Sequence, residues 1–186
     1  ASTQHRPVAG DARTGLMPEL QPWPYWNQLD DPQTADGRPP ENAWSDCANE
    51  CIAMCVWYVH GVELPADYFH DRLSYEGYRG YFTIEQVVQG LTRWGGVAAQ
   101  EFYEDANQAP GRICAAIDDG RPCILLLRFN DDWQSGHFVC AIGYDSDNLY
   151  LADPYGGYRR VMPWYDLINW YKGVGVEVLM HRHPEL

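Results

Sequence analysis

Two spacings of apolar residues divide this chain. Between Asp46 and Asp118 they recur at three- and four-residue intervals, and after Pro122 they come in short continuous or alternating blocks. The first spacing is that of helices with a buried face, the second that of strands. Ile52, Cys55, Val56 and Val59 form the clearest helical stripe, with Ser45 and Asp46 before it as candidate caps and Gly61 at its end. A second helix is predicted from its cap Thr83 to Trp94, stopped by Gly95-Gly96. A third is predicted from Pro110 to Asp118. The mixed, aromatic residues 62–81 read as short helical turns and loops.

In the second half, Cys123–Phe129, His137–Tyr144, Leu149–Ala152, Tyr158–Met162 and Val174–Met180 read as strands. Asp145-Ser146-Asp147-Asn148 supplies a hairpin turn, and Pro163–Trp170 a short helix. Helices first and antiparallel strands afterwards indicate an α+β fold. Residues 1–24, polar and proline-bearing, read as an extended N-terminal arm that packs through Trp23; residues 25–186 read as one domain. Within it, Asp30 to Asn42 is a loop rich in proline and acid.

Composition narrows the function. Thirteen Lys and Arg against 26 Asp and Glu leave a formal charge of −13, spread along the chain. A nucleic-acid backbone needs clustered cations, so nucleic acid is excluded as a partner. A peptide or another uncharged or basic partner fits better. No apolar run is long enough for a membrane span. Six cysteines lie at 47, 51, 55, 114, 123 and 140. The first three share a helix face and the others sit in apolar runs, a pattern of buried thiols that suits a reducing compartment.

Three patches carry candidate chemistry. Cys47 falls in the first turn of the strongest helix, where free N–H groups and the helix dipole favour a thiolate. Asp46 beside it opposes this unless its carboxylate is engaged. Gly136-His137 opens an apolar strand pattern, which puts an imidazole at the strand's mouth as a base. Asp153-Pro154 closes the following strand, within reach of His137 if the two strands form a hairpin. Each also has a plain structural reading, as a buried cysteine, a strand-end histidine and a turn aspartate. Trp44 and Trp133 flank the cysteine and the histidine and are candidates to line a substrate groove. His181 and His183 have no acid or thiol pattern beside them, and no metal site is expected.

Asp46-Cys47 through Ala53-Met54, then Gly136-His137-Phe138-Val139 with Ala141-Ile142-Gly143-Tyr144-Asp145, then Asp153-Pro154, resemble the C39-like branch of papain-fold cysteine peptidases. The resemblance spans about residues 25 to 180. It implies a papain-like fold and a Cys47, His137 and Asp153 triad that cleaves peptide or protein substrates through an acyl-thioester. It implies no cofactor. It also assigns Gln28, in Tyr25-Trp26-Asn27-Gln28, to the oxyanion hole with the N–H of Cys47. Two departures accompany it: Ala48 stands where the group often has glycine, and the stretch from Gln28 to Cys47 is longer than usual. Two alternatives stay open, a thiol amidase or acyltransferase (including cell-wall peptide cleavage) and a catalytically idle binding or assembly module.

Overall fold

A computed structural model describes residues 18–26, 28, 46–74, 82–129, 132–155 and 157–182. Most of its helices precede most of its strands, as expected, although one strand comes before the fourth helix. Helix α1 spans Cys47–His60, α2 Ala66–Ser74, α3 Ile84–Gln89, α4 Ala109–Asp118 and α5 Trp164–Trp170. Strands β1 (Ala99–Tyr103), β2 (Cys123–Phe129), β3 (Asp132–Tyr144), β4 (Asn148–Asp153), β5 (Gly157–Pro163) and β6 (Tyr171–Val178) make one sheet in the order β1-β6-β2-β3-β4-β5. Every recorded pairing is antiparallel. The α+β expectation holds.

The predicted stripe understates α1. Ile52, Cys55, Val56 and Val59 are buried, and so is every residue from Cys47 to Val56. The helix lies against β3 and is enclosed by α2, α3 and the turn after α3, so it has almost no solvent face. Gly61 ends it in the left-handed conformation at φ 67°, with its N–H on the Trp57 carbonyl. Thr83 caps α3 reciprocally with Gln86. The predicted helix to Trp94 changes pitch at Gly90, where a single π-type turn carries the chain to Gly95. A Cβ on Gly90 would stand 2.5 Å from Ile52 Cδ1, so the glycine lets this turn close on α1.

Two elements had no clear sequence signal. Helix α2 lies in the stretch read as short helical turns and loops, and β1 was not predicted at all. In β1 only Phe102 is fully buried, so the strand carries no alternating pattern. It exists because Ala99 to Tyr103 completes the hydrogen bonding of β6 at the sheet edge. Strand β3 begins at Asp132, five residues before the predicted start. Its early residues pair back on the end of β2 through a bulge, which needs backbone groups rather than apolar side chains. His137 is therefore mid-strand, opposite Leu127, and not at the strand's mouth.

The N-terminal segment joins the sheet. Leu20 N–H donates to the Ile142 carbonyl at 2.6 Å and Tyr144 N–H to the Pro18 carbonyl at 3.0 Å. Strand β3 bulges there, between Ala141 and Gly143, and a Cβ on Gly143 would meet Glu19 Cγ at 2.9 Å. Trp23 is buried, with its ring centroid 5.0 Å from that of Tyr58 on α1. No described helix is long and apolar enough to cross a membrane.

Candidate active site

Cys47 is the first residue of α1, so its side chain stands where the helix presents unpaired N–H groups. It is 8% exposed, against 0% for Cys51, Cys55, Cys123 and Cys140. All six cysteines are free thiols. Burial pushes the Cys51 thiol up to about 12, and burial likewise raises Cys55, Cys114, Cys123 and Cys140. These five remain protonated at neutral pH.

Asp46 occupies the N-cap position of α1 but makes no capping hydrogen bond, so the expected cap is corrected. Two better-placed donors compete for the carboxylate. Oδ1 accepts from Asn49 Nδ2 at 3.0 Å and lies 2.9 Å from Nδ1 of His70 on α2. Asp46 is completely buried. Its hydrogen bond raises His70 above the ordinary imidazole value, more than burial lowers it. The negative charge next to Cys47 is thus met by a histidine from the neighbouring helix.

Strand pairing explains how His137 finds Asp153. Ala152 pairs with Cys140, so Asp153 continues β4 toward the His137 end of β3. His137 Nε2 and Asp153 Oδ1 are 2.6 Å apart, and both residues are buried. Burial works to lower the imidazole. Its hydrogen bonds to Asp153 and Cys47, and their charges, overcome that and raise it to about 9. With Nε2 turned to Asp153, Nδ1 is the ring nitrogen left for the sulfur of Cys47.

The Asp153 carboxylate has further donors. The N–H of Tyr155 reaches Oδ1 at 2.9 Å and Arg160 Nη1 reaches Oδ2 at 2.6 Å. The N-terminal segment closes on the same turn: Gln28 N–H donates to the Pro154 carbonyl at 3.0 Å, and the Tyr25 hydroxyl to the Asp153 carbonyl at 3.3 Å. Gln28, which is buried, is thereby carried to the Asp153-Pro154 turn. A pair of aromatic rings flanks the imidazole. Phe129 lies 5.5 Å from the His137 ring and Tyr155 6.4 Å, with Phe129 and Tyr155 5.5 Å apart. Such rings exclude water from the His137–Asp153 contact.

His137 and Asp153 thus meet directly, Cys47 interacts with His137, and Gln28 joins the same turn. Trp44 lies outside the described residues, as does the side chain of Trp133, although the backbone of residue 133 belongs to β3. The flanking rings found here are Phe129 and Tyr155. Sequence reasoning passed over these two, and Arg160 and His70 as well. Only Tyr155, two residues after Asp153, lay close enough in the chain to a candidate to attract notice. Among the described residues, no group of three or more His, Cys, Asp or Glu side chains is arranged to hold a metal ion.

Residues 21–177 match the family described as the Peptidase_C39 like family. Among solved structures, the chain resembles a double glycine motif protease from an AMS/PCAT transporter, solved in complex with the leader peptide. The two share 18% identity at a TM-score of 0.58, over 86% of this chain and 93% of that one. The peptidase domain of Streptococcus ComA, a bifunctional ABC transporter, is 14% identical at a TM-score of 0.60, over 82% and 97%. A C39-like peptidase from Bacillus anthracis is 13% identical at a TM-score of 0.58, over 89% and 98%. No curated protein sequence matches the chain. At these identities the structural likenesses establish the papain-like fold, and the family match covers most of the chain.

Proposed function

Because this chain belongs to the Peptidase_C39 like family and is a cysteine-type peptidase, we propose that Cys47, His137 and Asp153 hydrolyse peptide bonds, with Gln28 completing the oxyanion hole. The observation that carries this reading is the buried 2.6 Å contact of His137 Nε2 with Asp153 while Cys47 hydrogen-bonds the same ring. Cys47 passes its proton to His137 Nδ1, and the sulfur attacks the carbonyl carbon. The carbonyl electrons move to oxygen, held by the Cys47 N–H and the Gln28 amide. The C–N bond then breaks, His137 protonates the leaving amine, and a thioester remains. Water, deprotonated by His137, attacks the thioester and releases the carboxylic acid and the thiolate. Asp153 holds the ring's orientation throughout. The similarity to a protease solved with a leader peptide supports a peptide as substrate.

Iodoacetamide labelling followed by mass mapping tests the assignment, with cleavage of a peptide library as the second measurement. Cys47 is expected to alkylate far ahead of the other five cysteines. Cys47→Ala is expected to abolish cleavage, and His137→Ala to reduce it by about 10²–10⁴-fold. A Cys47 no more reactive than an unfolded thiol, or cleavage that survives Cys47→Ala, would sink the reading.

A further inference from the structure

From the geometry of β4 and β5 we infer that Arg160 is a positioning residue of the site: its guanidinium is the fixed counter-ion that keeps Asp153 ionised and aimed at His137. The inference rests on the reading of Cys47, His137 and Asp153 given above. Asp153 is 1% exposed, and its two oxygens are divided between partners. Oδ1 takes His137 Nε2 at 2.6 Å and the Tyr155 N–H at 2.9 Å; Oδ2 takes Arg160 Nη1 at 2.6 Å. The carboxylate cannot rotate without breaking a charge-assisted bond.

The backbone is built to deliver this contact. Leu151 pairs with Arg160 and Asp153 with Gly157, so β5 uses one residue more than β4 between the two pairs. That bulge contains Arg159 at φ 56°, the only positive-φ residue besides glycine among the described residues. Bulges re-aim side chains, and left-handed backbone at a non-glycine residue is held only where its surroundings demand it. Arg159 is secured by Glu19 at 3.0 Å and by the Tyr150 ring at 4.0 Å. Arg160, the next residue, reaches Asp153.

The chemistry explains the need. During the cycle His137 alternates between imidazolium and imidazole. Whenever it is neutral, Asp153 would be a buried carboxylate with no cation beside it, a costly state that takes up a proton instead. A guanidinium never gives up its charge in this range, so the acid stays ionised in both halves of the cycle. Among the described residues, the titratable and charged groups around Asp153 include His137 from β3, Arg160 from β5, Cys51 from α1 and the Tyr25 hydroxyl from the N-terminal segment, which meets the Asp153 carbonyl; Cys47 on α1 acts on His137.

The test needs no substrate. The rate of Cys47 carbamidomethylation by iodoacetamide is followed across pH, and the His137 ring is titrated by NMR, in wild type, Arg160→Gln, Arg160→Lys and Asp153→Asn. Removing a positive charge strengthens proton binding at every group nearby. Arg160→Gln should therefore move both the alkylation limb and the His137 midpoint up by about one pH unit. Arg160→Lys keeps the charge and should leave both near their wild-type positions. Adding Arg160→Gln to Asp153→Asn should move both by much less than it does in the wild-type background, because the carboxylate through which Arg160 chiefly acts is gone. A merely structural arginine would lower stability without moving these midpoints. Midpoints unchanged in Arg160→Gln, or moved as far in Arg160→Lys, would overturn the inference while leaving the site intact. Should Arg160→Gln fail to fold, Arg160→Lys decides: midpoints kept near their wild-type positions support the inference, and midpoints moved by about one pH unit overturn it. A wild-type Cys47 with no enhanced reactivity removes the reading of the site, and this role with it.

Discussion

At the scale of single residues, the site depends on which atom each side chain turns inward. His137 Nε2 is taken by Asp153, and this leaves Nδ1 to the sulfur. The proposed role of Gln28 is separable from that pair, because its amide meets an oxygen that gains charge only in acyl transfer. Gln28→Ala should therefore lower peptide cleavage by about 10²–10³-fold while the rate of Cys47 alkylation stays at the wild-type value, since alkylation forms no oxyanion. Parallel measurement of cleavage and iodoacetamide labelling checks this, and a matching loss in both would assign Gln28 a structural part instead. Cys47, His137 and Asp153 were legible in the sequence as candidates, because their neighbours form motifs that survive as local patterns, and Gln28 became a candidate through the family resemblance. Arg160, Phe129 and Tyr155 were not. An arginine in a strand or an aromatic near a turn is common, and only the register of β4 with β5 and the end of β2 makes these three meet the His137–Asp153 couple.

At the scale of elements, α1 is held at its N-terminal end by α2. His70 on α2 and Asp46 before Cys47 are 2.9 Å apart, and Asp46 is sealed from solvent. Removing the histidine strips a buried carboxylate of a charged partner. His70→Ala is expected to destabilise the protein by about 2 kcal/mol, read by urea denaturation below the ordinary imidazole value. The hydrogen bond to Asp46 raises His70 in the folded state, so its contribution is fully present below the unfolded value of about 6.5. It is lost as pH rises through the raised folded value. The gap between variant and wild type should thus narrow toward alkaline pH. A gap that stays constant with pH would show that the ring acts by packing on Phe82 rather than by charge. The sequence announced α1 through its apolar stripe. It was silent on α2 as a partner, because the tie is a polar contact between residues 24 positions apart.

At the scale of the whole molecule, one sheet with α1 laid on β3 converts distant sequence patches into one chemical unit. The His137–Asp153 couple joins neighbouring strands and, through Cys47, the helix packed on them, so its protonation is linked to global stability. His137 is raised to about 9. Its stabilising contribution is complete below about 6.5 and disappears as pH climbs through about 9. Thermal melts from neutral to alkaline pH should show the melting temperature falling across that interval. In Asp153→Asn the fall should be shallower, since the carboxylate that holds the proton is absent; an unchanged slope would detach His137 from this balance. The sequence by itself determined the fold class, most element positions and which residues are candidates for the site, because hydrophobic period, caps and short motifs are local and need no partner. Only the tertiary structure decided that His137 lies mid-strand, that His70 engages Asp46, and that Arg160 and the two aromatic rings surround the histidine–aspartate couple. Those facts arise from strand register, bulges and helix docking, which depend on contacts between segments far apart in the chain and leave no periodic trace in either.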